Sequence, residues 1–281
     1  MGLFGFMNYN KEGPGVSKNE PQKKGFFRFF EIYFSNFWKL LVQGLNQAIL
    51  TVPVVTYMLG EVGLANVTRS MTRNKHSFGT SDFFETVGKN WKQSLGVGII
   101  NIILTALLAF NAWFFYTGEG NEILCAVFTG VSIFMLFVFT IMKYYMPMLI
   151  MTFGLNIKQL YKNSFRFVFL NLKRNLLIFF SLTLFSAAMI AALLFGGHIG
   201  VIAATVLFIC VYPGFRSLLI QYNIFDSIRK YMIDPYYEEH PDADIEKRLA
   251  LGLDVPEEYM PHYDDESIFD DERLLPKDEE E

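Results

Sequence analysis

Apolar stretches long enough to cross a membrane recur along this chain, separated by short polar connections. A helix of about 20 residues crosses the ~30 Å hydrocarbon core of a bilayer. The pattern therefore predicts an all-α polytopic membrane protein. The predicted spans are approximately 37–51, 94–116, 123–151, 175–195 and 199–222, with a less apolar sixth segment at 57–71.

The region from Trp38 to Arg73 determines the sidedness of everything that follows, because Pro53 breaks its helical pattern in the middle. Basic residues lie both before and after this region. A single crossing would place the two basic clusters on opposite faces, against the positive-inside rule. We therefore predict a helical hairpin, whose second arm either crosses fully or re-enters on the same side. Gly60 and Gly63 on that arm would allow close helix contact.

The complete pattern predicts about six transmembrane helices arranged as hairpins, with five crossings plus a re-entrant or short helix as the alternative. The short outer connections contain no Lys or Arg, which places both termini in the cytoplasm. We expect the first cytoplasmic loop, residues 74–92, to hold a short surface helix with Phe83, Phe84 and Val87 on one stripe. The second, residues 153–174, is basic. The predicted location is the bacterial cytoplasmic (inner) membrane, and the lipid bilayer is the first predicted partner.

Charge divides the chain into a basic membrane domain and an acidic tail. Residues 1–228 hold 18 Lys/Arg and 9 Asp/Glu, whereas residues 229–281 hold 6 and 19. We expect a flexible lead at 1–24, a helical transmembrane domain at 25–228 and a largely disordered cytoplasmic tail at 229–281, whose prolines, beginning with Pro235, interrupt helical patterns. Topology explains the basic clusters, so no nucleic acid partner is predicted.

Two charged residues are the candidate functional polar groups of the membrane domain, Glu61 and Arg216. Glu61 lies about eight residues from the Pro53 turn, or ~12 Å along a helix, and an acid at such a place is costly and is a candidate for function. Coupling to transport or partner binding is one interpretation. A carboxyl that is protonated, or hydrogen-bonded to Asn or Gln on a neighbouring helix, is the other. Arg216 and Lys143 are interpreted as snorkelling towards the inner boundary.

Sequence signatures of enzymes are missing. The chain contains no nucleophile elbow, zinc-protease helix, P-loop or dinucleotide fingerprint, and its four His are scattered. We therefore predict no enzyme activity, no catalytic, cofactor-binding or metal-binding residues, and no cofactor. Cys125 and Cys210 fall in predicted spans, where small apolar packing is their expected role.

Several short motifs occur in the order found in one family. They are Pro53-Val54-Val55-Thr56, Asp82-Phe83-Phe84, Asn90-Trp91-Lys92-Gln93, Lys158-Gln159-Leu160-Tyr161-Lys162-Asn163 and Tyr212-Pro213-Gly214. Over residues 25–232 the chain resembles the YesL-like family of bacterial integral membrane proteins, a domain of unknown function. The acidic tail and Glu61 depart from the family pattern.

The resemblance implies a role beside carbohydrate ABC uptake systems, with a carbohydrate ABC transporter permease or another membrane protein as the implied partner. It supplies no established functional residues; its motif positions Pro53, Thr56, Asp82, Asn90, Lys92 and Pro213 are kept as candidates. The predicted function is a non-enzymatic accessory or interaction protein associated with carbohydrate uptake. The alternative is a subunit of a transporter or permease that moves a small solute. The sequence assigns neither the solute nor an oligomeric state.

Overall fold

The computed structural model describes residues 25–73 and 78–240, and within these ranges every regular element is helical and no strand occurs. The lead at 1–24 and residues 241–281 of the predicted tail lie outside the described residues. The helices are α1 (Phe26–Ser35), α2 (Phe37–Thr51), α3 (Tyr57–Thr72), α4 (Thr80–Thr117), α5 (Glu122–Thr152), α6 (Ile157–Leu170), α7 (Leu172–Phe195), α8 (Gly197–Val206), α9 (Tyr212–Ile228) and α10 (Asp234–Glu239). Two π-helical turns, Leu207–Val211 and Arg229–Ile233, join α8, α9 and α10 into one continuous helix.

Four helices of the described ranges are long and apolar enough to cross a membrane: α4, α5, α7 and the continuous helix Gly197–Glu239. This result confirms the helical class and is consistent with a polytopic membrane protein. The remaining two predicted crossings correspond to α2 and α3, which have only 15 and 16 residues. At 1.5 Å per residue they measure about 22 and 24 Å, less than the ~30 Å core.

The hairpin predicted around Pro53 is present. Helices α2 and α3 pack against each other across a tight turn, in which Val54 adopts a left-handed backbone with φ 58°. Such a φ is unusual for a β-branched residue. The Thr56 hydroxyl donates a hydrogen bond to the Leu50 carbonyl and so links the two ends of the turn. Thr56 therefore has a local structural role in this turn.

The predicted contacts of small residues in α3 are also confirmed. A Cβ added at Gly60 would lie 2.9 Å from Cγ of Gln47 on α2, and one added at Gly63 would lie 2.9 Å from Cγ2 of Val87 on α4. These separations are shorter than side-chain atoms tolerate. Glycine at both positions lets α3 approach its two neighbours closely.

Three details differ from the sequence prediction. The expected surface helix and third span are one uninterrupted helix, α4, and Phe83 is fully buried against Gly63. The second loop contains α6, whose N-terminus is closed by a capping box between Asn156 and Gln159. The helix also continues past residue 228, and Pro235 lies just after the π-helical turn Arg229–Ile233.

The chain divides into two compact units, Met1–Asn223 and Ile224–Glu281. The second unit therefore begins inside α9, five residues before the boundary predicted at 229. Its described part runs from Ile224 to His240 and includes an ion pair between Arg229 and Asp234, whose Nε and Oδ1 atoms are 3.1 Å apart.

Burial separates two regions within the first unit. We call residues 25–73, 78–101, 138–182 and 210–223 the base, and residues 102–137 and 183–209 the two arms. The arms bury only Ser132, Met189 and Ala204 along their whole length. They contain no Asp, Lys or Arg, and their two Glu, Glu119 and Glu122, lie at the end of the first arm. The base contains the buried core and all other described charges of this unit.

Candidate functional site

A cavity of about 680 Å³ is lined by α2, α3, α5, the π-helical turn Leu207–Val211 and the start of α9. Apolar side chains form most of its wall. Its polar lining combines two cations and one acid with amide, hydroxyl and phenol groups: Gln47, Thr51, Tyr57, Glu61, Thr140, Lys143, Tyr144, Tyr212 and Arg216. The cavity is therefore an apolar pocket with a few convergent polar groups, the usual composition of a small-molecule site.

The structure brings the two predicted candidates together. Oε1 of Glu61 accepts hydrogen bonds from the Arg216 guanidinium and from Nε2 of Gln47. The side chains of Glu61 and Arg216 are 15% and 23% exposed, so water covers little of the pair. Opposite charges stabilise each other most when solvent is largely excluded.

Close helix packing makes this geometry possible. A Cβ added at Gly44 of α2 would lie 2.6 Å from the Cys210 carbonyl oxygen, and one added at Gly214 would lie 3.0 Å from the Leu40 carbonyl oxygen. Glycine on both helices thus brings α2 next to the segment that carries Arg216. A buried hydrogen bond of 2.9 Å between the hydroxyls of Thr68 and Ser217 joins α3 to the same segment.

The interpretation of Arg216 as a snorkelling residue is wrong, because its guanidinium pairs with Glu61 inside the base. One alternative predicted for Glu61 was a hydrogen bond to Asn or Gln on a neighbouring helix. Gln47 makes that bond, and Arg216 is a second partner of the same carboxyl group. The sequence offered no signal for this second partner, since 155 residues separate the two.

Lys143 also faces the cavity instead of reaching a boundary. Its Nζ atom lies 3.4 Å from Oγ1 of Thr105 and 5.4 Å from the centre of the Phe139 ring. Within the described ranges, no carboxylate lies within ion-pair distance of this ammonium group. The neighbouring tyrosines are buried: Tyr144 lines the cavity and Tyr145 packs in the core.

A second polar cluster holds α6 against the bundle. Tyr145 donates a 2.7 Å hydrogen bond to Oδ1 of Asn175, whose Nδ2 in turn donates to the carbonyls of Phe167 and Val168. These two carbonyls lie in the last turn of α6, where helix carbonyls lack partners. Asn175 therefore fastens the end of α6 to α5 and α7.

Tyr161 makes the other polar link of α6, by donating a 2.6 Å hydrogen bond to Oδ1 of Asn101 on α4. Burial raises the pKa of Tyr161 above its ordinary value, so the phenol stays a donor at neutral pH. Asn101 also donates to the sulfur of Met146 at 3.3 Å. Both clusters hold helices together and contain no reactive group.

The family-like motif positions do not form one site. Asp82 accepts from the backbone N–H of Phe78 at 3.0 Å near the start of α4, and Asn90 donates to the Thr86 carbonyl at 3.0 Å. Nζ of Lys92 lies 5.6 Å from the centre of the Trp91 ring. Pro53 and Thr56 lie in the hairpin turn. Of the six, Pro213 lines the cavity.

No metal-binding geometry occurs within residues 25–73 and 78–240, where no three His, Cys, Asp or Glu side chains are grouped to hold an ion. Both cysteines are free and only partly covered. The polar side chains that line the cavity offer charge and hydrogen bonds to a bound molecule.

Comparison with known proteins gives one match. A family model described as "Protein of unknown function, DUF624" matches residues 47–112, which is 66 of the 281 residues. The matched segment begins at Gln47 and includes Glu61, whereas Lys143 and Arg216 lie outside it. No curated protein and no solved structure matches the chain. The match thus gives part of the chain a similarity to a family whose function is itself unknown.

Proposed function

We propose that the chain is a multi-pass protein of the bacterial cytoplasmic membrane with both termini in the cytoplasm. Its support is the presence of four long apolar helices, together with arms whose exposed apolar side chains suit contact with lipid. An even number of crossings keeps both ends of the chain on one side. The basic residues lie outside the arms. By the positive-inside rule, this placement supports the cytoplasm as the side that holds both ends of the chain.

Four crossings plus a re-entrant hairpin agree better with the helix lengths than six crossings do. The carbonyl oxygen of Val55 lies 3.3 Å from the Cβ position of Gly98, so the α2–α3 turn packs beside the middle of α4. The 19 residues of α4 beyond Gly98 extend about 28 Å further. That length alone nearly matches the hydrocarbon core.

Within that membrane we propose a non-enzymatic accessory or interaction role, associated with carbohydrate uptake as the family resemblance implies. The observation that carries it is the distribution of charge. Apart from Glu119 and Glu122 at the end of the first arm, the arms contain no Asp, Glu, Lys or Arg, whereas the base is rich in them. A hydrophilic solute would find no charged group along the arms, so the base is the more suitable working surface.

A subunit of a transporter or permease is the second candidate, and the cavity favours it. Binding of a small solute beside Glu61 and Arg216 is a step that a transporter requires and a scaffold does not. Solute flux in proteoliposomes that contain the purified chain, with an E61Q variant as the control, separates the two. Flux that depends on Glu61 would support transport; copurification of an ABC permease without flux would support the accessory role.

Topology is tested by labelling single cysteines in whole cells, in a variant that lacks Cys125 and Cys210. Probes at Gly15, Ser77, Gly120 and Ser267 cover the lead, both sides of the membrane domain and the tail. We expect a membrane-impermeant thiol reagent to label Gly120→Cys alone. Labelling of Gly15→Cys from outside would overturn the proposed sidedness, and it would mean an odd number of crossings if Ser267→Cys stayed unlabelled.

A further inference from the structure

The cavity contains one positive charge more than its own acid neutralises. Glu61 is engaged by Arg216, whereas among residues 25–73 and 78–240 the Lys143 ammonium has only the 3.4 Å contact with Thr105 and the Phe139 ring beside it. An ammonium group carries three donors. A covered cation with unused donors is costly unless an anion reaches it. The cavity is therefore suited to an occupant that brings a negative charge to Lys143.

The apolar side of the cavity indicates where the rest of the occupant lies. Ile49, Val52 and Phe208 line the cavity and are each more than half exposed. They thus join its wall to the outer apolar surface of the base and the second arm. A free inorganic anion would leave this wall unused, whereas a hydrocarbon chain would cover it.

We propose that the cavity binds an anionic phospholipid. Lys143 and Arg216 receive its phosphate, and an acyl chain lies across Ile49, Val52 and Phe208. The inference rests on the membrane location proposed above and is independent of whether the protein is an accessory or a transporter subunit. A bound lipid would fix the α2–α3 hairpin to the second arm.

The test measures lipid binding to the full chain in phosphatidylcholine nanodiscs. Fluorescent phosphatidylglycerol, phosphatidic acid and phosphatidylcholine with the same acyl chains are titrated in turn. We expect both anionic lipids to bind and phosphatidylcholine to remain at background, because the negative charge is what Lys143 recognises. K143M should weaken phosphatidylglycerol binding by about tenfold, since it removes a charged hydrogen bond.

Two variants control for folding and for general charge. K143R keeps the cation and should retain binding, which would exclude a merely structural effect of the K143M change. K162M removes an exposed cation from α6 and should bind as the wild type does.

Equal binding of phosphatidylglycerol and phosphatidylcholine, or undiminished binding by K143M, would overturn the inference. So would effective competition by soluble glycerol 3-phosphate, because the ligand would then be a water-soluble anion. Failure of the wild type to enter nanodiscs would instead overturn the membrane location, and this inference with it.

Discussion

The base and the arms are both built from apolar helices, yet they bury their side chains very differently. The base encloses Phe83, Leu64 and Tyr145 almost completely, whereas the arms leave most of their large apolar residues exposed. The base also buries polar side chains: Gln43, Gln47, Thr68, Thr86, Ser94, Asn101, Ser164, Asn175, Ser217 and Gln221. Hydrophobicity alone therefore does not distinguish a protein core from a lipid-facing surface. Buried polar side chains, which concentrate in the base, mark the protein core.

Helix α4 shows this contrast within one element. Its first part, up to Asn101, buries Phe83, Ser94 and Val97 against α3 and α5, whereas none of its residues from 102 to 117 is buried. In a membrane without a hydrophobic driving force between helices, close packing depends on small and polar residues. The base buries such residues at its helix contacts, whereas of those in the arms only Ser132 and Ala204 are buried.

The same substitution in both regions provides the sharpest test. F83A removes a fully buried ring and should lower the free energy of unfolding by about 3–5 kcal/mol. F134A removes a ring that is 58% exposed in the first arm and should change it by less than about 0.5 kcal/mol. Unfolding by SDS titration in mixed micelles measures both. Similar losses for the two variants would mean that the arms are packed against a partner, and the comparison would fail.

Breaking the ion pair should have the next largest effect. E61A leaves Arg216 largely covered and unpaired, and we expect a loss of about 2–3 kcal/mol. The double variant E61Q/R216Q removes both charges and should be destabilised by less than the E61Q and R216Q single variants together, because no isolated charge remains. The same SDS titration gives these values. A double variant whose loss equals the sum of the single losses would contradict the coupling.

The sequence allowed the helical class, the hairpin at Pro53 and the approximate centres of the long spans to be predicted. Length, hydropathy and the placement of Lys and Arg carry that information directly. Helix α6 could also have been found, because Asn156 and Gln159 form a capping-box pattern ahead of an apolar stripe that includes Leu160 and Phe167. The prediction instead interpreted its basic residues as a loop.

The candidate site could be predicted only in part. Glu61 was identified because an isolated acid in an apolar region is unusual. Its pairing with Arg216 depends on how α2, α3 and α9 pack, which no local pattern reveals. Tyr144 and Tyr145 illustrate the same limit, because tyrosines at the end of a span also suit a membrane interface. Their burial follows from partners such as Asn175, which lies 30 residues away.

Two glycine-to-alanine variants, one in the base and one in the first arm, should change stability by smaller amounts and in opposite directions. G44A places a Cβ 2.6 Å from the Cys210 carbonyl and should destabilise the base by about 1–3 kcal/mol through overpacking. G130A, in the first arm, meets open space and should stabilise its helix by up to about 1 kcal/mol, because alanine favours helix. Thermal unfolding in detergent, followed by circular dichroism, measures both shifts. Destabilisation by G130A would show that this face of the arm is occupied.

The smallest predicted effect concerns the polar link between α6 and the bundle. Y161F removes the hydroxyl that donates to Asn101, and we expect a loss of about 1 kcal/mol, the usual net value of one hydrogen bond. The ring still stacks beside Phe139, at 6.5 Å between centres, so packing is retained. Hydrogen exchange should show faster opening of α6 than of α5, since α6 loses one of its two polar links to the rest of the base.

Y116F, on an exposed tyrosine of the first arm, is the matched control and should change neither quantity. If Y161F left α6 as protected as in the wild type, Asn175 alone would suffice to hold α6, and polar contacts in the base would be partly redundant.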